Sequence, residues 1–387
     1  MIVSILGHGV VGRGVWEMLQ DNPLYTVRTV LVKKGEADPD KKWMVESIDY
    51  VLNDDSELVI ECMGGIEPAF QFTSACLKAG KSLISSNKAL VAAHGIELMQ
   101  LANSKGLSFL FSAACGGAIP ILQSLCLARQ TDKILWAGGI LNGTTNYILD
   151  SMDQRGLSFE EALAEARSLG YAEADPTADI SGLDTLRKIM LISMVAYDVL
   201  PSDGYSIEGI QSVKAQDFAM AKSLGCTIRL SGKAGLSSNG KLFAYVEPVV
   251  CNKSEAFANV HKNINLAHYE GKNAGYMTLG GQGAGRYPTA SAILRDVSSV
   301  TNGQKHMLGD NCAVGSVDNN CDECKHSYLV RIEDCNNLNG LVCISKKLSD
   351  NYFVTEKISV DAMHKAAKEL RDKGFQLFFG EYSEEKL

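Results

Sequence analysis

The chain has 387 residues, 46% of them apolar, with 37 Lys and Arg against 45 Asp and Glu. That is length for two or three domains, with no basic surplus to follow a phosphate backbone or an anionic lipid face. The longest apolar stretch, Ile189 to Tyr197, falls well short of the roughly 18 residues a spanning helix needs, so neither nucleic acid nor membrane is expected as a partner. Strand-like sequence begins at Ile2, so no signal peptide is expected, and a cytoplasmic location is. Eleven cysteines, an odd number scattered mostly through apolar segments, read as reduced thiols.

In chain order, an apolar strand over 2–6 runs into Gly7-His8-Gly9-Val10-Val11-Gly12 and then a helical pattern through Val15, Met18 and Leu19. Strands at 27–32, 58–62, 82–84 and 107–111 alternate with helices near 70–79 and 94–104, which predicts a doubly wound parallel sheet. After Gly139 the pattern changes to helices near 145–154 and 159–169, a loop rich in Asp and Pro, and a long helix over 183–199. Strands at 227–230 and 242–250 then suggest an α+β domain with helices on one face of a mainly antiparallel sheet. The run Gly280 to Gly285, followed by a helix over 290–297, returns to the style of the first domain. Residues 311–325 read as a polar linker, and the tail as strand (328–332), helix, strand (352–358), helix (360–373), strand (376–379). The expected organisation is a Rossmann-type dinucleotide-binding domain at 1–133 plus about 288–303, a catalytic and dimerisation domain at 134–287, and a small βαβαβ-like domain at 327–387.

The glycines at 7, 9 and 12 follow a strand and open a helix, the context in which such a turn cradles a pyrophosphate on helix N–H groups, here beside Val10 and Val11. The second strand ends in Lys33-Lys34, where an NAD site usually places Asp or Glu for the ribose 2′-hydroxyl. Lysines there suit a 2′-phosphate, so NADP is expected, with NAD as the alternative.

Between Gly170 and Lys188 lie Glu173, Asp175, Asp179 and Asp184, with Pro176 and Gly182 shaping a turn that can aim carboxylates into one cleft. Asp184 and Lys188 are four apart and share a helical face; alone they would be an ordinary ion pair. Lys188 runs straight into Ile189-Met190-Leu191-Ile192, at the edge of an apolar helix, and Lys88 stands just after a parallel strand, where doubly wound sheets bind ligands. An amine acid/base, carboxylates for a substrate ammonium, and a dinucleotide turn together suggest oxidation of an alcohol on a cationic or zwitterionic small molecule.

The segments Gly139 to Leu149 and Gly170 to Lys188 resemble the hallmark motifs of homoserine dehydrogenases. Cys62-Met63-Gly64-Gly65-Ile66-Glu67-Pro68, Ser86-Asn87-Lys88-Ala89 and the run Gly283-Ala284-Gly285 to Ala292 match further family signatures in the same order. The resemblance implies reversible oxidation of L-homoserine to L-aspartate 4-semialdehyde with NAD or NADP, on the route to threonine, methionine and isoleucine. By motif position it implies Lys188 as proton donor, Lys88 on the cofactor and substrate side, and Glu173, Asp184 and Asp179 as acids of the substrate site. Gly143 and Thr144 fall in the substrate loop, and Gly64, Gly283 and Gly285 in cofactor segments. It also implies a monovalent cation such as sodium on the backbone carbonyls of Ser112, Cys115, Gly117 and Ile119, in a stretch whose sequence departs from the family's usual one. The tail is shorter than the regulatory ACT domain of many relatives and lacks its Pro-Gly after the first strand, so it reads as a degenerate ACT-like unit, which speaks against threonine feedback through it.

Cys312, Cys321, Cys324 and Cys335 with His326 raise a zinc site, although only one C-x-x-C is present. Cys115 reads as a core or loop thiol rather than a nucleophile. Apolar residues on both parities of Leu242-Phe243-Ala244-Tyr245-Val246 lead to the expectation of a homodimer or homotetramer through the catalytic-domain sheet. The alternatives are a dehydrogenase of another small hydroxy amino acid and a non-catalytic nucleotide-sensing paralogue.

Overall fold

In a computed structural model that describes residues 1–201, 204–308, 315–333 and 343–383, the chain forms two units. One holds Met1–Thr131, Met194–Asp198 and Gln282–Gly315, and the other Asp132–Ser193, Val199–Gly281 and Ser316–Leu387. Among the described residues no helix is long and apolar enough to cross a membrane.

The first unit begins β1 (Ile2–Leu6), α1 (Val10–Gln20), β2 (Thr26–Leu31), β3 (Met44–Val45), α2 (Ile48–Asn53), β4 (Leu58–Glu61), α3 (Ala69–Lys78), β5 (Ser82–Ser85), α4 (Lys88–Ser104), β6 (Phe109–Leu110) and α5 (Ile121–Ala128). Its six strands lie parallel in the order β3-β2-β1-β4-β5-β6. Every residue of β4 is buried, the mark of a parallel strand covered on both faces. Strand order reverses between β1 and β4, the switch point where such sheets leave a crevice at their carboxyl ends.

The second unit continues with β7 (Ile134–Ile140), α6 (Gly143–Arg155), α7 (Phe159–Ser168), α8 (Thr177–Ile180), α9 (Leu183–Tyr197), β8 (Val199–Pro201), β9 (Ser206–Ile207), α10 (Ala215–Ser223), β10 (Cys226–Leu236), β11 (Leu242–Asn252), β12 (Ile264–Gly271) and β13 (Gly275–Gln282). Residues 144–153 of α6 are all buried, so this helix has no solvent face and runs through the core, its Asn146, Asp150 and Asp153 included. Its Tyr147, Ile148 and Met152 join Ile228 and Leu230 of β10, Val246 of β11 and Phe378 of the tail.

After β13, Gly285 opens α11 (Arg286–Thr301), which belongs to the first unit and packs on α1. A Cβ on Gly14 of α1 would lie 2.9 Å from the Arg286 side chain. The tail then forms β14 (Gly315–Val317), β15 (Lys325–Ile332), β16 (Ile344–Lys347), β17 (Tyr352–Thr355), β18 (Ile358–Ser359), α12 (Val360–Asp372) and β19 (Leu377–Tyr382). A helix was expected between Ile332 and Tyr352; Ile344–Lys347 form a strand there, and 334–342 lie outside the described residues.

The tail strands continue the sheet of the second unit, since β11 pairs parallel with β19, β19 antiparallel with β15, and β15 with β17. This changes the reading of Leu242–Val246. All five residues are buried within the chain. Phe243 and Tyr245 pack against Cys321 and Val360 of the tail, while Val246 joins the core with α6. Their apolar character on both parities therefore gives no reason for a partner copy at this place.

Candidate active site

Gly7 has φ +97°, and a Cβ on it would lie 2.9 Å from the Cys62 carbonyl oxygen; a Cβ on Gly12 would collide with the carbonyl of Gly7. Gly9, by contrast, faces open space. It caps α1 without a side-chain hydrogen bond, Val10 is exposed and Val11 half-buried, so the first N–H groups of the helix are presented at an open turn. This arrangement fits a pyrophosphate. Lys33 and Lys34 are exposed just past β2, and the loop that carries them is held by Glu46, which accepts from the N–H of Gly35 (2.8 Å) and Ala37 (3.1 Å).

At the ends of β4 and β5, the buried Glu61 carboxylate accepts from Met63 N (2.7 Å), Ser85 Oγ (2.5 Å) and Asn87 Nδ2 (3.4 Å). Burial pushes its pKa up despite these bonds. The Asn87 amide also donates to Gly65 O (2.5 Å), so one side chain joins the Gly64–Gly65 turn to the segment of Lys88. Lys88 is half-buried and opens α4, which starts earlier than the expected 94 because Asn87 caps it, accepting from Leu90 N. Sequence reasoning gave Glu61 no role; a carboxylate closing an apolar strand was the available signal.

Ser112, Cys115, Gly117 and Ile119 line a buried or half-buried turn, with Gly117 backed closely by the main chain of Gly283. The carbonyls of Ser112 and Ile119 already accept from Cys115 N (3.3 Å) and Ile121 N (2.9 Å), and Arg295 donates to Ala118 O (2.9 Å). A cation on this set would share the Ser112 and Ile119 oxygens with those N–H groups, through their second lone pairs. What organises the segment is Asp296, which accepts from Ser112 Oγ (2.6 Å) and N (2.8 Å). Burial pushes that carboxyl up to about 6.

In the second unit, β7 ends at Ile140 and Asn142 caps α6, its amide oxygen accepting from Thr145 N at 2.8 Å. The Asn142 NH₂ donates to Asp179 Oδ1 (2.7 Å) and Asp184 Oδ2 (2.8 Å), bridging two carboxylates. Lys188, on α9 and 7% exposed, places Nζ 2.8 Å from Asp184 Oδ2 and 2.5 Å from Leu141 O. Leu141 O also accepts from Asn265 Nδ2 (2.7 Å), and the buried Asn265 Oδ1 has no hydrogen-bond partner among the described residues. Burial raises the pKa of Asp179, with the nearby Asp184 charge adding to it and the Asn142 hydrogen bond opposing it.

Thr144 Oγ1 donates to Tyr171 O (2.5 Å), and a Cβ on Gly143 would lie 2.8 Å from Asn263 O, so the start of α6 is tied on both sides. Asp179, Asp184 and Lys188 are thus brought together. Glu173 is exposed, and Asp175 is spent on the turn, accepting from Thr177 N and Oγ1. Asn142 and Asn265 were not foreseen, because their part depends on pairing across the fold. The zinc reading gains nothing: no cluster of metal-ligating side chains occurs among the described residues, and Cys312 and Cys335 lie outside them.

An open dinucleotide turn in one unit and a buried amine among carboxylates in the other define a nicotinamide-dependent dehydrogenase. A family model for homoserine dehydrogenase matches residues 120–298, and one for the homoserine dehydrogenase NAD-binding domain matches 7–112. The homoserine dehydrogenase of Corynebacterium glutamicum is 36% identical over 79% of this chain and 72% of its own length, and that of Bacillus subtilis 33% identical over 81% and 76%. The crystal structure of a homoserine dehydrogenase from Thiobacillus denitrificans is similar with a TM-score of 0.86 at 26% identity, covering 99% of this chain and 98% of that one. The Staphylococcus aureus enzyme gives 0.76 at 26%, over 99% and 98%. The chain belongs to the homoserine dehydrogenase family.

Proposed function

We infer that the protein oxidises L-homoserine reversibly to L-aspartate 4-semialdehyde, in the biosynthesis of threonine, methionine and isoleucine, and that the Lys188–Asp184–Asn142–Asp179 cluster carries the chemistry. The single observation behind this assignment of roles is the buried Lys188 amine, hydrogen-bonded to Leu141 O beside paired carboxylates. When bound, the nicotinamide supplies a hydride acceptor in oxidation and a donor in reduction. The Lys188 ammonium gives a proton to the carbonyl oxygen in reduction; as the neutral amine it takes the hydroxyl proton in oxidation. Asp184 and Asp179, bridged by Asn142, present negative charge to the substrate ammonium, with Glu173 as a further acid and Gly143 and Thr144 shaping the loop. Lys88, at the start of α4, is the lysine of the cofactor and substrate side.

The nicotinamide dinucleotide belongs on Gly7, Gly9, Val10, Val11 and Gly12, with Gly64, Gly283 and Gly285 as further contacts. NADP is preferred over NAD through Lys33 and Lys34. In this reading 1–133 with 288–303 is the dinucleotide domain, 134–287 the catalytic and dimerisation domain, and 327–387 a small ACT-like tail. A homodimer or homotetramer would use the outer strand β13, whose Tyr276 and Met277 are exposed. The enzyme works in the cytoplasm. Sodium on Ser112, Cys115, Gly117 and Ile119 would show as activation by sodium at constant ionic strength.

The assay follows reduced nicotinamide with homoserine and either cofactor. Turnover of homoserine is the expected result. Turnover of other hydroxy amino acids with none of homoserine, or no turnover at all, would overturn the reading.

A further inference from the structure

The segment Ser206–Ile210 touches the acid loop on one side and the tail helix on the other. Its β9 part pairs parallel with Tyr245 and Val246 of β11, and Glu208 N donates to Val246 O at 2.7 Å. Ile210 N donates to Ile180 O at 2.8 Å, the carbonyl one residue after Asp179. Gly209 lies flush against Ile180 and Ser181, where a Cβ would collide with the Ile180 carbonyl, and a Cβ on Gly182 would lie 3.2 Å from Ile207. The backbone of the acid loop therefore rests directly on 207–210.

That segment is in turn fastened to α12 at two points a helix length apart. Ser206 Oγ donates to Asp361 Oδ1 (2.7 Å) in the first turn, where Asp361 Oδ2 also accepts from Cys321 N (3.1 Å). Glu208, buried at the base of the segment, takes both guanidinium nitrogens of Arg371 in the last turn, at 2.8 and 2.6 Å. A planar fork on a carboxylate fixes orientation as well as distance. Resting on the assignment of Asp179 and Asp184 to the substrate site, we propose that the tail helix, through Arg371 and Glu208, positions the acid loop and so sets the affinity for the substrate ammonium. Glu208 and Arg371 are positioning residues, for neither lies in the cluster that holds Lys188.

Coupling carried by such a packed chain shifts affinity by roughly two- to thirtyfold. The test compares Arg371→Ala and Arg371→Lys in the full-length enzyme. For Arg371→Ala the homoserine KM rises by roughly three- to thirtyfold, the nicotinamide KM stays within about twofold of wild type, and amide exchange over 177–184 quickens. Arg371→Lys restores part of the KM. Should Arg371→Ala fail to fold, Ser206→Ala, which cuts only the tie to Asp361, is read in the same way. Unaltered homoserine KM with unaltered exchange over 177–184 overturns the proposal, as does a parallel rise in both KM values. Absence of homoserine turnover in the wild type would defeat the functional reading alone, since exchange over 177–184 still decides the coupling.

Discussion

Lys188 Nζ stands 2.8 Å from Asp184 Oδ2, one helical turn away on α9, in a site where the lysine is 7% exposed. The sequence presented these two residues as an i, i+4 pair that could have been a solvated surface contact. Instead the pair is largely buried, and the amine also donates to the carbonyl of Leu141, the placement on which its proposed role as a proton carrier rests.

Removing that amine should cut kcat by about 10²–10⁴ while leaving nicotinamide binding nearly intact, because Lys188→Ala deletes an acid/base without touching the glycine turn. Asp184→Asn should also raise KM for homoserine, since it removes a charge that meets the substrate in the ground state. Steady-state kinetics with cofactor fluorescence titration separate the two effects. An alanine variant keeping more than about a tenth of wild-type kcat would exclude Lys188 and leave Lys88 as the better candidate.

The proposed preference for NADP rests on Lys33 and Lys34, exposed past β2 on a loop held by Glu46. One lysine–phosphate contact at such a surface should be worth about 1–2 kcal/mol, roughly five- to thirtyfold in affinity, and should weaken with salt. Replacing both lysines by alanine should raise KM for NADP and leave KM for NAD nearly unchanged. An unaltered ratio, or a wild-type KM for NAD at or below that for NADP, would reject the assignment.

The glycine turn, the alternation of strands and helices and the Asp184–Lys188 spacing were legible because each is written in a few consecutive residues. What escaped was the polar wiring between distant segments. Asn142 looked like one member of a motif, yet its amide bridges Asp179 and Asp184. Asp296 anchors Ser112 only once α11 has returned to the first unit, and Glu61 ties two loops only once β4 and β5 lie side by side. Leu242–Val246 misled for the same reason: Cys321 and Val360, which cover it, come much later in the chain.

Stability in the first unit should depend on Asp54 and Lys81. Lys81 Nζ, nearly buried, donates to Asp54 O (2.8 Å) and Oδ1 (2.9 Å) and to Ser56 O (2.9 Å) and Oγ (3.0 Å). Burial alone would raise the Asp54 pKa, but hydrogen bonds from Ser56, Thr29 and Lys81 outweigh it and hold it at about 2, below the ordinary 3.8. Because the folded value is depressed, the contribution is whole above the unfolded value and is lost as pH falls from 3.8 towards 2. It should amount to about 2 kcal/mol. Urea unfolding should show Asp54→Asn weaker than wild type at neutral pH, with the gap closing in acid. Lys81→Met should cost roughly 3 kcal/mol at neutral pH, since it strips a buried carboxylate of its cation. A gap that stays constant down to the acid limit would show that Asp54 acts by shape alone.

Gly9 and Gly12 should separate binding from folding. A methyl on Gly12 has nowhere to go but into the carbonyl of Gly7, so Gly12→Ala must push α1 away from β1 and β4. Such a forced displacement costs typically 1–3 kcal/mol, and the variant should melt several degrees lower with the nicotinamide KM impaired as a consequence. Gly9 has negative φ and nothing within 4 Å of a built Cβ, so Gly9→Ala meets no obstacle in the free protein. The space that methyl would enter is where a pyrophosphate approaches the first N–H groups of α1. Gly9→Ala should therefore keep the wild-type Tm and lose at least about tenfold in dinucleotide affinity, measured by quenching of protein fluorescence with NADPH. Wild-type affinity in Gly9→Ala would place the dinucleotide elsewhere, whatever happens to Gly12→Ala.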